Sequence, residues 1–159
     1  MDESTAFATF CQLMHGRHYQ MRQMYQRGFP LLQKMFVIFR HLIRQYLPYL
    51  AFRFEELSID VAFFASHWFL TLFAYQFPAP LVAAVWDKFF AEGWKVIFRV
   101  ALALLKWDEQ KLLPMRMEDM LLHLKNIHEG KSIEEIMVRA MAIPVKERDL
   151  RVPTAEATE

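Results

Sequence analysis

The chain has 159 residues, of which 55% are hydrophobic and 15% aromatic, with 19 Lys and Arg against 18 Asp and Glu. That length fits one domain that can bury a core without staples. The net charge of +1 excludes a strongly basic nucleic-acid footprint, and the lone Cys11 excludes an internal disulfide and is compatible with a reducing compartment.

Asp2, Glu3 and Ser4 suit the first turn of a helix, and this acidic start lacks the basic n-region of a signal peptide. Ala6, Phe7, Phe10, Leu13 and Met14 continue at helical spacing until Gly16. Residues 17–28 are polar, carry Arg17, Arg22 and Arg27, and read as a short helix or loop. Cys11, His15 and His18 have a ligand-like spacing, but a structural zinc needs four ligands and no fourth is found, so they read as ordinary helix residues.

Phe29-Pro30 opens a long helix whose buried face is Leu32, Met35, Phe36, Phe39, Leu42, Ile43 and Tyr46. Its other face carries Lys34, Arg40, His41, Arg44 and Gln45. Pro48 starts a further helix through Glu56, with Leu50, Phe54 and Leu57 inward, and Ser58 or Asp60 caps the helix after it. Ala65 to Phe77 and Trp94 to Trp107 are two nearly all-apolar segments, expected to be helices buried almost all round, with His67 as a satisfied core histidine. Between them, Pro78 and Pro80 stop one helix and start the next, whose inward face is Val82, Val85, Trp86, Phe89 and Phe90, with Gly93 as a left-handed cap.

After Lys106, WDEQKLLPMRM turns the chain. Met117, Met120, Leu121 and Leu124 mark a helix ending at Gly130, and Ser132 with Glu135 forms a capping box ahead of Ile133, Ile136, Met137, Ala140 and Met141. Residues 151–159 are expected to be a disordered tail. Val61 to Phe77 is apolar, but it is interrupted by Ser66, His67 and Gln76 and is short of the roughly 20 residues a membrane span needs. No stretch alternates at period two and no fixed-period repeat is present, so the fold is expected to be all-α, a single lobe of stacked short helices.

The central stretch also carries a recognisable string: S-x-W-F-L-T-L-F from Ser66, Phe77-Pro78, Trp86-Asp87, Glu92-Gly93, and F-R-V-A-L-A-L-L-K from Phe98 to Lys106. With AFATFCQLM and GFPLLQKMF upstream, it resembles the C-terminal half of a TBC (Tre-2/Bub2/Cdc16) domain, the family of GTPase-activating proteins for Rab GTPases, over roughly Ser4 to Leu150. The resemblance implies that residues 1–150 are the C-terminal subdomain of such a domain and that the partner is a Rab-family small GTPase. It also implies a cytoplasmic location at endomembranes, with any membrane association peripheral and through the GTPase. The family acts through an arginine in I-x-x-D-x-x-R and a glutamine in Y-x-Q. Neither motif occurs here, since none of Tyr19, Tyr25, Tyr46, Tyr49 and Tyr75 has Gln two places on. The chain is therefore expected to support the fingers rather than supply them and to have no catalytic residue of its own. Ala84 stands where the family usually has a basic residue, a departure within the matched half.

No Gly-rich phosphate loop is present, so no nucleotide cofactor is expected, and no metal either. The basic set Arg17, Arg22, Arg27, Lys34, Arg40 and Arg44 could meet an acidic partner surface, and Arg17, Arg22 and Arg27 are its foremost members. A half-domain should also expose the face its other half covers, so self-association through the Ser4 to His15 helix is expected. Two other readings stand beside this one: a non-catalytic helical interaction scaffold, and a helical bundle with an apolar ligand cavity.

Overall fold

Prolines and short polar caps set most of the helix boundaries. Asp2 accepts the backbone N–H of Thr5 at 2.8 Å and starts α1 (Glu3–His15). Pro30 and Pro48 occupy the first positions of α2 (Pro30–Tyr46) and α3 (Pro48–Glu56), where the missing N–H costs nothing. Asp60 accepts the N–H of Ala62 at 2.8 Å at the start of α4 (Ala62–Leu70), and Pro80 lies in the first turn of α5 (Ala79–Glu92). Then come α6 (Trp94–Leu112), α7 (Met117–Lys125) and α8 (Ile133–Ala142), the last capped by Ser132, which accepts from Glu135 N–H. Short 3₁₀ turns lie at Met21–Met24 and Glu147–Leu150. This computed structural model describes residues 1–152, and among them there is no strand, so the all-α expectation is correct. The expected disordered tail lies outside the described residues from 153 on.

The spine is α6. Its residues from Val96 to Leu105 are buried except Arg99, and it packs most extensively against α8, with α5 and α2 alongside. Aromatic rings fill the space where α2, α4 and α6 meet: Phe39 to Phe69 at 5.3 Å, Phe69 to Phe98 at 5.5 Å, Phe64 to Trp68 at 5.3 Å. Each such side chain stabilises the fold by about 1.5–3 kcal/mol through burial alone. The cations near the start of α6 are paired: Lys95 and Arg99 both reach Glu92, at 3.6 and 3.2 Å, and Arg99 also donates to the Val145 carbonyl at 2.8 Å.

Six expectations need correction. The helix expected over Ala65 to Phe77 stops at Leu70. Leu72 and Phe73 take positive φ, 48° and 69°, which costs about 1–3 kcal/mol each. The turn is held because both side chains are buried, Phe73 stacks on Phe77 at 4.9 Å, and the Trp86 indole N–H donates to the Leu72 carbonyl at 2.9 Å. Nor is α4 buried all round: Phe63 and His67 are exposed, and His67 stacks on Tyr75 at 4.8 Å instead of lying in the core.

On α5 the buried residues are Leu81, Val85 and Phe89, while Val82, Trp86 and Phe90 are half-buried. The α5 stripe is rotated toward Leu81 because Trp86 serves the turn at Leu72. Gly93 has the positive φ expected of a cap, +75°, but its ψ of −158° lies outside the left-handed helical region. Finally, α6 continues past Lys106 to Leu112, because Leu105, Asp108 and Leu112 keep its inner face going, and α7 ends at Lys125 rather than at Gly130.

Candidate functional site

The segment between α1 and α2 presents the three arginines singled out from the sequence. Polar residues alone would leave it loose, yet it is pinned at three points. The Tyr19 hydroxyl donates to the Phe90 carbonyl at 2.8 Å, and the Trp94 indole N–H donates to the Tyr19 carbonyl at 2.9 Å. The Tyr25 hydroxyl donates to the Leu70 carbonyl at 2.6 Å, and burial there pushes its phenol pKa up, keeping it a neutral donor. Met21 and Met24 are buried beneath the segment. His18 sits against Gly93, where a Cβ would come within 2.7 Å of its Nε2, and the φ of +75° there favours glycine.

On this anchored segment Arg17, Arg22 and Arg27 are all exposed, and none forms an ion pair among the described residues. The three do not line one common groove. Arg17 joins Lys34 and Arg151 around a groove of about 310 Å³ that also carries Glu147, while Arg22 and Arg27 do not line it. Two members of the wider basic set are neutralised: Arg40 pairs with Asp60 at 3.1 Å and Arg44 with Glu55 at 2.9 Å. Cys11, His15 and His18 belong to no group of three or more potential metal ligands among the described residues.

Beside this segment, α1 has no buried residue. Phe7 and Phe10 are 69% and 56% exposed, and a groove of about 350 Å³ opens between α1 and Phe90 of α5. Phe7 and Phe10 therefore leave an apolar helix face open to solvent.

Sequence reasoning missed one buried polar centre. Asp108 of α6 is fully buried; Lys131 Nζ donates to its Oδ2 at 2.7 Å, His123 Nε2 lies at 2.7 Å from the same oxygen, and Lys111 Nζ at 3.7 Å from Oδ1. Burial works against the charged carboxylate, but the hydrogen bonds from Lys131 and His123 outweigh it and hold its pKa below the ordinary value. The only local signal was its place between Leu105 and Leu112 on the apolar face. The centre ties α6 to α7 and to the turn before α8, which is a structural role.

Stacked short helices carrying an anchored basic segment and an open apolar helix face make this an all-α helical domain. The chain belongs to the Rab-GTPase-TBC domain family, whose description matches residues 1–113. It is 35% identical over 127 residues to the mouse Ecotropic viral integration site 5 protein, covering 80% of this chain and 16% of that protein. It is also 34% identical over 125 residues to the Caenorhabditis elegans Rab GTPase-activating protein tbc-11, covering 79% of this chain and 13% of that one. The chain thus spans about a sixth or less of the length of these curated relatives. The crystal structure of the Chlamydomonas flagellar RabGAP TBC domain superposes with a TM-score of 0.71 at 28% identity, over 87% of this chain and 46% of that one. No helix among the described residues is long and apolar enough to cross a membrane.

Proposed function

We propose that residues 1–150 form the C-terminal half of a Rab GTPase-activating TBC domain that acts at cytoplasmic endomembrane surfaces through its GTPase. In this reading the chain braces a separate half bearing the arginine and glutamine fingers, and offers Arg17, Arg22 and Arg27 to the GTPase. The observation that carries it is the similarity to the Chlamydomonas RabGAP domain, which extends over most of this chain but under half of that one. The anchored segment adds support, because side chains on pinned backbone lose little order when a partner docks. The open face of α1 is covered by the other half, or by a second copy when the chain is alone.

Chemistry in such a complex belongs to the GTPase, which supplies nucleotide and magnesium, and an arginine finger typically accelerates hydrolysis about 10³- to 10⁵-fold. The test is single-turnover GTP hydrolysis across a Rab panel, with excess chain, in the presence and absence of a finger-bearing N-terminal half. Stimulation is expected only with both halves together. Acceleration of about a hundredfold or more by this chain alone, within a factor of about ten of the weakest finger catalysis, would overturn the reading.

A further inference from the structure

Away from the arginine segment, the end of α2, the middle of α6 and the end of α8 enclose a groove of about 350 Å³. Its lining combines buried apolar side chains, Leu47, Leu102 and Ile143, with the half-buried ring of Trp107 and two cations, Lys106 and Arg139. Arg139 is held in place before any ligand arrives. Its Nε and Nη2 donate to Glu135 Oε1 at 3.1 and 2.6 Å, and its guanidinium lies 3.9 Å from the Trp107 ring centroid. A guanidinium has five N–H donors, so donors remain for a second anion. Lys106 is exposed and pairs with no carboxylate among the described residues.

Neither half of this arrangement suffices alone. Exposed cations attract a purely ionic ligand only weakly in water. A purely apolar ligand would leave Lys106 and Arg139 unused at its edge. The volume lies at the lower end of the roughly 300–1,000 Å³ of small-molecule pockets. A single leucine or phenylalanine from a docked protein would fill it only in part, forfeiting the dispersion contacts that make burial favourable. We propose that this groove binds a small amphipathic anion, with an acyl or aryl body against Leu47, Leu102, Ile143 and Trp107 and a carboxylate or phosphate facing Lys106 and Arg139. Its source is either a free acid or the anionic end of a membrane lipid. The inference stands independently of the Rab reading.

The probe is sodium dodecanoate, titrated below its micellar range into the ¹⁵N-labelled chain, with dodecanol as the uncharged comparison. A saturable shift is expected at the Trp107 indole N–H and the Ile143 amide, while the Trp68 and Trp86 indoles stay still. Lys106→Glu should weaken binding roughly fivefold, as should replacing the carboxylate by the alcohol. Ala142→Phe, at an exposed position lining the groove, should weaken it roughly tenfold by occupying the apolar space. Circular dichroism checks that both variants keep their helices, and Lys106→Glu decides the matter if Ala142→Phe does not fold.

The proposal is overturned if no saturable shift appears, if dodecanol binds as well as dodecanoate, if Lys106→Glu binds unchanged, or if the shifts centre on Phe7 and Phe10. Sedimentation with phosphatidylcholine vesicles containing phosphatidylserine separates the sources. Binding lost in Lys106→Glu assigns the lipid, and dodecanoate binding without sedimentation assigns the free acid.

Discussion

Helices α1 and α6 are both rich in apolar side chains, yet one has no buried residue and the other has twelve. The difference lies in neighbours. Helix α6 is surrounded by α2, α5 and α8 of its own chain, and even its one buried carboxylate finds Lys131 and His123. Helix α1 touches the rest mainly through Leu13 and Met14 and the segment between it and α2, leaving Phe7 and Phe10 in the open. Apolar composition therefore marks a packed core in α6 and an uncovered face in α1.

That contrast can be broken most forcefully at the core. Trp68→Ala empties a fully buried site, with an expected loss of about 3–5 kcal/mol in denaturant melts. Trp86→Ala should cost only about 1–2 kcal/mol, because it removes one hydrogen bond and a half-buried ring. Equal losses for the two would refute the distinction between them.

Removing the buried charge comes next. Asp108→Ala leaves Lys131, whose side chain is 6% exposed, without its partner. The expected loss is about 2–3 kcal/mol, below that for a wholly buried pair because His123 and Lys111 reach solvent. A cost under about 0.5 kcal/mol would show that the centre contributes nothing.

Acid sharpens the same comparison. Burial against Phe77 pulls the His128 pKa below 6.5, so the fold prefers the neutral ring; stability is full above that value and falls as pH drops below it. Asp108, with its pKa held below 3.8, contributes stability that is full above 3.8 and is lost as pH falls through its folded-state value. Two windows of acid loss are therefore expected in pH-dependent melts, and His128→Leu should remove the upper one alone. An unchanged upper window in that variant would refute the assignment.

The smallest expected effect on stability is at α1. Phe7→Asp should change it by no more than about 0.5 kcal/mol. In analytical ultracentrifugation, however, the wild-type chain should self-associate with rising concentration and the variant should not. A monomeric wild type at high concentration would mean that α1 needs no cover.

Much of the fold was legible in local pattern. Pro30, Pro48 and Pro80 each removes a backbone donor and fixes φ, so the starts of α2, α3 and α5 could be read directly. Apolar spacing gave the inward face of α2, and the run from Ser66 to Lys106 gave the family. Local pattern also identified Arg17, Arg22 and Arg27 as exposed charges, but not which other cations would keep theirs free. Arg40 and Arg44 looked equivalent to them until Asp60 and Glu55 came alongside.

The sequence by itself determined where helices begin, which faces are apolar, and the family, because each depends on residues within a few positions or on an ordered string. Only the tertiary structure decided that α4 stops at Leu70, that Asp108 is buried, and that Trp107 and Arg139 share a groove with Leu47. Each of those outcomes is a balance between a local cost and a contact made far along the chain. Two residues in strained φ are tolerated because Trp86 hydrogen-bonds Leu72, and a carboxylate is tolerated in the core because Lys131 reaches it. Periodicity encodes the cost of such features but not the distant partner that offsets it.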